Sequence, residues 1–384
     1  MDQKNMSKIF QNEISHEILI RRTYPRDEDM RGYYFRDTTA IIHSYPFRRL
    51  KNKTQVFFTP KNDHICTRIE HVMHVATIAA TICKALNLNA DLAWAISLGH
   101  DLGHTPFGHV GEEIINDLVK YKGGFIHEVY SLRVVDHLVN YGKGLNLTYA
   151  VRDGIINHCG EKFERIMAPD FSEKDLSSIN KRNRFPSTWE GVVVRMSDKI
   201  AYLGRDIEDA IHLKLVKQDE IPKRPLKLLG RTNSEIIDTL VKDLTDYSLQ
   251  NGVIGFSEKI YTSVLELKDF NYSHIYSNKL LANYHAYFRR ILSLLFEYLE
   301  NLFQNYGLDA EKYSRENNLL SARFADFIMK MKSFYENTDG GYNNLVLDYI
   351  AGMTDDFAID SIEEIMIPRR FAFEFEDLLM KKLP

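Results

Sequence analysis

Between Leu98 and His109 the chain reads LGHDLGHTPFGH, three histidines and an aspartate in twelve residues of otherwise apolar sequence. Histidine binds metals, moves protons, or fills a core with its ring nitrogens bonded. The crowding extends further: nine of the fourteen histidines fall between residues 64 and 158, about a quarter of the chain. A lone His-Asp pair carries little, because chance supplies roughly one in a chain of this size. Two chemical readings compete. In the first, His100-Asp101-Leu102-Gly103-His104 is a relative of the HExxH zinc motif, with histidines four apart. Against it, Asp stands where that motif has its Glu base, and Gly103 and Pro106 interrupt the helix it requires. In the second, His100 and Asp101 are adjacent ligands at a helix end. Neighbours on a helix point ~100° apart, so both reach one ion only when it lies off the axis near the terminus. His71 in RIEHVMHV then offers a second imidazole, and Asp198 in RMSDK a distant second carboxylate. This mixed nitrogen and oxygen set suits Mn2+, Fe2+, Mg2+ or Zn2+ with positions open to water and a substrate oxygen. Taken singly, each residue is more plainly a core histidine or a capping carboxylate.

The elements that must position these residues are helical. His71 to Cys83 keeps an i, i+3, i+4 apolar stripe, with Asn87 to Asn89 as its stop. Ala90 to Gly99 reads as a buried helix, which Gly103, Pro106 and Gly108 then break or bend. Further helices are expected over 112–121, 127–140, 149–158, 187–212, 233–250, 284–303 and 322–335. Gln55 to Thr59 is strand-like, one arm of a small hairpin at most. Ala168 to Pro186, rich in Asp, Ser, Asn and Lys, reads as an insertion loop. The expectation is an all-α protein: residues 1–35 an N-terminal extension, 36–215 the core, and 216–384 a helical part packed on it.

Composition narrows the function classes. The 384 residues are 44% hydrophobic and 27% charged, enough for a sizeable core. A formal charge of −4 argues against coating nucleic acid by bulk electrostatics. Short basic clusters such as Phe47-Arg48-Arg49-Leu50-Lys51 read as solvated faces. Three cysteines without CxxC spacing fit a reducing compartment. The first residues lack an apolar signal region, and no apolar run approaches the ~18 residues of a membrane span. A cytoplasmic protein with no membrane partner is expected.

The set His71, His100, Asp101 and Asp198 resembles the HD superfamily of metal-dependent phosphohydrolases. The similarity to one branch goes further. IIHSYPFRRLKNKTQVF, TRIEHVMHV, LGHDLGHTPFGHVGEE, GGFIHEVYSLRVVDHL, GIINHCGE, VVVRMSDKIAYLGRDIEDAI and DYIAGMTDDFA run in order along most of the chain. They are similar to the successive signature blocks of the dGTPase-like deoxynucleoside triphosphate triphosphohydrolases. The resemblance implies an HD-domain helical core that hydrolyses dGTP, or several dNTPs, to deoxynucleoside and inorganic triphosphate. Water would attack the α-phosphorus, and an acid would protonate the leaving 5′-oxygen.

By the same resemblance His71, His100, Asp101 and Asp198 hold the divalent metal, Mn2+ or Mg2+ in the first place, Fe2+, Co2+ or Zn2+ otherwise. His109 and His127 are the active-site histidines, one of which delivers the proton. Glu112 and Glu128 are candidates to orient them. Arg68, Lys199, Tyr202 and His104 are implied phosphate contacts, and Asp206 and Gln55 sugar contacts. Asp348, Tyr349 and Met353 are expected at the base pocket, without a spacing to support it. Two positions depart from the pattern: His127 is followed by Glu128 where many bacterial members have Asn, and His74 stands where an acidic residue is common. The family implies a homo-oligomer, tetramer or hexamer, and in some members a second dNTP as effector or single-stranded DNA as partner. Two alternatives stand beside this one, a dNTP-binding sensor without catalysis and an HD hydrolase of another nucleotide such as (p)ppGpp. A sensor is expected to have lost a ligand, His109 or His127, and all are present.

Overall fold

Residues 10–58, 64–160 and 162–367 are described by the structure, a computed structural model. Thr59, the first nine residues and residues 368–384 of the expected C-terminal part lie outside them. The α-helices of seven residues or more are α1 (Gly32–Ile42), α2 (Arg68–Ala85), α3 (Ala90–Gly99), α4 (Gly108–Leu118), α5 (His127–Arg133), α6 (Tyr149–Ile156) and α7 (Trp189–His212). They continue with α8 (Asn233–Asn251), α9 (Glu258–Asn271), α10 (Lys279–Tyr306), α11 (Leu319–Glu336), α12 (Leu345–Ala351) and α13 (Asp355–Met366). The protein is all-α, with one two-residue antiparallel ladder, β1 (Ile166–Met167) against β2 (Ile254–Gly255), in register Ile166 to Gly255.

Local chemistry explains where the site-bearing helices begin and end. At the start of α2 the Glu70 carboxylate reaches back to the Thr67 N–H at 2.7 Å. Its apolar stripe, Val72, Val75, Ala76, Ala79, Ile82 and Cys83, is buried. Asn87, at φ +57°, turns the chain from α2 toward α3. The Asn89 side chain then caps α3 by accepting from the N–H groups of Asp91 and Leu92 at 3.0 and 3.1 Å. α2 and α3 pack on each other and on α7, which the Thr188 hydroxyl caps at the Gly191 N–H, 3.0 Å.

Two expectations are revised. The region expected as one helix over 127–140 is α5 followed by a wider π-type turn, Val134–Leu138. The strand expected at Gln55 to Thr59 does not form among the described residues, where Thr54 makes only an isolated bridge to Thr67. Side chains have claimed the backbone groups a strand partner needs. Arg68 takes the carbonyl of Thr54 at 3.0 Å, and Asp355 takes the Thr54 N–H and hydroxyl at 2.9 and 2.5 Å. The expected insertion loop is irregular apart from its opening, which adjoins β1, and a short 3-10 turn at Leu176–Ser178. No helix among the described residues is long and apolar enough to cross a membrane.

Candidate active site

Four helices bring the candidate ligands to one place. His71 lies one turn into α2, His100 and Asp101 follow the end of α3, Asp198 is mid-way along α7, and His158 follows α6. His71 Nε2 lies 3.0 Å from Asp198 Oδ1, and His100 Nε2 lies 3.3 Å from Asp101 Oδ1 and 3.9 Å from Asp198 Oδ1. Ligand atoms of His71, His100 and Asp198 lie within 4.8 Å of one another, and so do those of His100, Asp101 and His158. His100 and His158 each donate Nδ1–H to a carbonyl three residues back, Ser97 at 2.6 Å and Ile155 at 2.7 Å. A carbonyl only accepts, so each Nε2 carries a lone pair turned toward the cluster. His100 Nε2 is buried and makes no hydrogen bond. An orphaned imidazole nitrogen beside two carboxylates is what a divalent ion requires, so the donor set fits a metal.

The electrostatics of the carboxylates fit the same use. Burial opposes ionisation of Asp101, but His100, His104 and Arg68 outweigh it and hold its carboxyl well below the usual range. Burial likewise opposes ionisation of Asp198, and the bond from His71 reverses it. His158 is kept neutral, pushed down to about 4 by burial and by His100. His71 goes the other way: burial disfavours its cation, yet Asp198 raises its pKa.

A second cluster adjoins the first. The residues from Thr105 to Gly108 bend sharply, with Phe107 at φ +64° and its N–H held by Asp355 Oδ1 at 2.9 Å. The bend starts α4, which carries His109 and Glu112. One Glu112 oxygen, Oε2, lies 2.9 Å from His127 Nδ1 and 3.5 Å from His109 Nδ1. His109 is exposed, its side chain 67% accessible, whereas His127 is buried, with Nε2 3.3 Å from His158 Nε2. His104 stacks on His127 at 3.9 Å between ring centres, and burial with Arg68 keeps it neutral. Burial opposes the His127 cation, but Glu128 and Glu112 outweigh it and hold its pKa up at about 9. The Arg182 guanidinium closes the group from outside, donating to Glu128 Oε1 and Glu112 Oε1, both at 2.7 Å. Gly103 permits the close approach of the turn after α3 to α5: a Cβ there meets the Ser131 nitrogen at 2.2 Å.

The remaining expected contacts divide. Tyr202 and Asp206 follow Asp198 on α7 at spacings of four and eight, one face of a helix. The Tyr202 hydroxyl has no hydrogen-bond partner among the described residues, while Asp206 accepts from the Tyr276 hydroxyl at 2.5 Å. Gln55 is buried with Oε1 unpartnered. Arg68 is buried and spent, its Nη1 on Asp101 Oδ2 at 2.5 Å and its other nitrogens on the carbonyls of Thr54 and Gln55. Lys199 is not brought to the cluster, because its ammonium is taken by Glu164 at 2.8 Å and the Lys162 carbonyl at 2.9 Å. Asp348 is likewise placed elsewhere, its carboxylate held by Arg133, Tyr130 and Tyr335. His158, Arg182 and Asp355 take part without having been singled out in sequence. His158 sits in the quoted block GIINHCGE, the one signal that pointed near it.

The HD domain family matches residues 68–203, and the phosphohydrolase-associated domain matches residues 254–364. A deoxyguanosinetriphosphate triphosphohydrolase-like protein of Caldanaerobacter subterraneus subsp. tengcongensis is 40% identical over 340 residues, 88% of this chain and 86% of that one. A protein of the same name from Clostridium perfringens strain 13 is 35% identical over 376 residues, 95% of this chain and 97% of that one. A solved hypothetical protein from Aquifex aeolicus aligns over 90% of this chain and 72% of its own at 16% identity and a TM-score of 0.42.

Proposed function

The chain belongs to the deoxyguanosinetriphosphate triphosphohydrolase-like family of HD-domain proteins, and from that premise we propose that it hydrolyses deoxynucleoside triphosphates to deoxynucleoside and inorganic triphosphate. The bond from the α-phosphorus to the 5′-oxygen breaks, and a new bond forms from that phosphorus to water oxygen. The water loses a proton and the 5′-oxygen gains one. The observation that carries the reading is the single Glu112 oxygen shared by two histidines next to the His71, His100, Asp101 and Asp198 set.

These four residues would hold a divalent ion, Mn2+ or Mg2+, which when bound supplies the positive charge that polarises phosphoryl oxygens and water. The rest of the chemistry belongs to side chains. His109, the exposed member of the pair, is the one a leaving 5′-oxygen can reach. Glu112 orients its Nδ1, and His127 behind it, held protonated near neutral pH by Glu128 and Glu112, keeps a proton in the same network. The Tyr202 hydroxyl is free to donate to a phosphate, and His104 donates to one only with its proton on the unpartnered Nδ1 instead of on Nε2, which faces Asp101 at 3.4 Å. Arg68 acts on a phosphate through Asp101, and Lys199 reaches one only by leaving Glu164. Asp206 and the unpartnered Gln55 Oε1 suit the sugar hydroxyl.

The test is to incubate the protein with each dNTP and Mn2+ or Mg2+ and separate the products by anion exchange. Deoxynucleoside with triphosphate is the expected pair. Pyrophosphate or orthophosphate without triphosphate would reject attack at the α-phosphorus with the 5′-oxygen leaving.

A further inference from the structure

The two glutamates beside His127 leave a charge to be balanced. Glu112, on α4, is 7% exposed and Glu128, on α5, only 1%. Both approach the same ring nitrogen: Glu112 Oε2 lies 2.9 Å from His127 Nδ1, and Glu128 Oε2 lies 3.4 Å from it. Two buried carboxylates outnumber one imidazolium, and an uncompensated buried charge is costly. Among the described residues a single lysine or arginine pairs with either carboxylate, and it is Arg182.

Its guanidinium does more than cancel charge. Nε donates to Glu128 Oε1 at 2.7 Å and Nη2 to Glu128 Oε2 at 3.1 Å, a two-pronged pair suited to a planar fork. Nη2 also donates to Glu112 Oε1 at 2.7 Å, and the His127 backbone N–H reaches that oxygen at 3.1 Å. With Oε1 taken by those two donors, Oε2 is the Glu112 oxygen left to the rings of His127 and His109. Glu128 has both oxygens engaged by Arg182, which weakens it as the rival acceptor for the His127 Nδ1–H. Nη2 passes 3.3 Å from that ring nitrogen.

The chain that delivers Arg182 is irregular but tied down. Across the base of the stretch Ala168 to Pro186, the Asp170 N–H donates to the Pro186 carbonyl at 3.0 Å. The Lys174 ammonium bonds the Ser187 hydroxyl at 2.6 Å, and Arg195 on α7 donates to the Arg184 carbonyl at 2.9 Å, two residues past Arg182. An anchored loop can hold a side chain to a fixed geometry, as a site with oriented groups requires. We propose that Arg182 is a positioning residue of the candidate active site: it fixes Glu112 so that Oε2 faces His127 and His109, and it keeps Glu128 from taking over the His127 Nδ1–H bond. Its kinetic consequence rests on the dNTP hydrolysis proposed above, whereas the geometry it imposes on His127 does not.

The test has two readouts on the full chain. The first is turnover of a dNTP with Mn2+. Arg182→Ala should lower kcat about 10–100-fold with KM within about twofold. The side chain is 34% accessible, so its removal opens a slot to solvent. Guanidinium chloride at millimolar concentration, far below its denaturing range, should then raise the kcat of Arg182→Ala about fivefold or more, and sodium chloride at the same concentration should not. Arg182→Lys should stay well below unsubstituted protein, because an ammonium lacks the fork that bridges both carboxylates. Adding Glu128→Gln to Arg182→Ala should recover several-fold in kcat by removing the unpaired charge and the rival acceptor. The second readout is the His127 Nδ1–H resonance of 15N-labelled, metal-free protein, assigned by its loss in His127→Asn. Arg182→Ala should shift it, and guanidinium should return it. The proposal is overturned by a kcat of Arg182→Ala within about twofold of unsubstituted protein, or by a loss that neither guanidinium nor Glu128→Gln reverses. A resonance that Arg182→Ala leaves in place overturns it as well. Full activity of Arg182→Lys would overturn the two-pronged part. If unsubstituted protein releases no triphosphate, the proposed reaction fails, and the resonance alone decides whether Arg182 holds His127 to Glu112.

Discussion

Asp206 offers the sharpest test of how the long helix carries its charges. Only 2% of the residue is exposed, and burial lifts its carboxyl from the ordinary 3.8 to about 7 despite the bond from Tyr276. Below about pH 4 folded and unfolded chains are both protonated there, and ionisation costs nothing. Between about 4 and 7 the folded protein keeps a proton that the unfolded chain has released, so stability falls as pH rises. Above about 7 the buried carboxylate is charged and the penalty is complete. At about 1.36 kcal/mol per pH unit the interval amounts to roughly 4 kcal/mol. Asp206→Asn keeps shape and an acceptor for Tyr276 but cannot ionise. Urea unfolding of both proteins from pH 5 to 8 should therefore show the variant gaining on the unsubstituted protein by roughly 3 kcal/mol. Asp209, also raised to about 6, is present in both proteins, and its charge adds to the penalty at Asp206 that the variant removes. Any pH-independent cost of burying the new amide shifts the whole curve without changing its slope. A stability difference flat within about 0.5 kcal/mol over that range would refute the buried-carboxylate reasoning. If Asp206 also meets the sugar, the more stable variant turns over substrate more slowly, as functional sites that carry a stability cost do.

Three further outcomes follow from the geometry. Asp198→Asn should remove most bound Mn2+, measured by metal analysis after dialysis, together with turnover; metal content equal to that of unsubstituted protein would reject Asp198 as a ligand. His127→Asn, which keeps a short polar side chain but loses the proton reserve beside Glu112, should lower kcat about 100-fold or more with dNTP binding retained; unchanged kcat would reject its role. Gly103→Ala forces a methyl group onto the Ser131 nitrogen and should cost roughly 1–3 kcal/mol or more in thermal or urea unfolding. Wild-type stability there would show that α5 can withdraw from the turn.

The legible half of the site is the half that local spacing constrains. A buried helix ending at Gly99 with His100 and Asp101 beyond it already places two donors past a terminus, and the structure has that helix. Lys199, implied as a phosphate contact by the resemblance alone, has no such spacing behind it. One residue beyond Asp198 it lies ~100° round the helix, and that rotation turns it to Glu164 instead of to the cluster. Arg182 had no local signal at all. It sits in polar, irregular chain, and its partners Glu112 and Glu128 are 70 and 54 residues away. The Gln55 to Thr59 strand failed for the converse reason. Its apolar run Val56 to Phe58 is β-like, but Arg68 and Asp355, which bond the backbone of the adjoining Thr54, lie elsewhere in the chain, the latter 301 residues from Thr54.

Core filling and readiness to ligate a metal, which first stood as rival readings of His100, are compatible in that ring and in His158. Each ring hydrogen-bonds through Nδ1–H to a helical carbonyl three residues back, an acceptor at a helix end that has lost its intrahelical donor. That bond satisfies the buried backbone, and it also selects the tautomer whose other nitrogen bears a lone pair. Packing therefore prepares ligation, and the ring needs no reorientation to receive an ion. His71 is the exception, since its Nε2 is already bonded to Asp198 Oδ1 and its pKa is raised. An ion entering between them displaces the proton on Nε2, which a neutral ring keeps on Nδ1 and a charged ring must release, so metal uptake should release more protons and weaken as the solution is made acidic. Potentiometric titration of metal-free protein with Mn2+ in weak buffer at several pH values reads that release, and proton release and affinity both independent of pH would mean that the ion does not enter between His71 and Asp198.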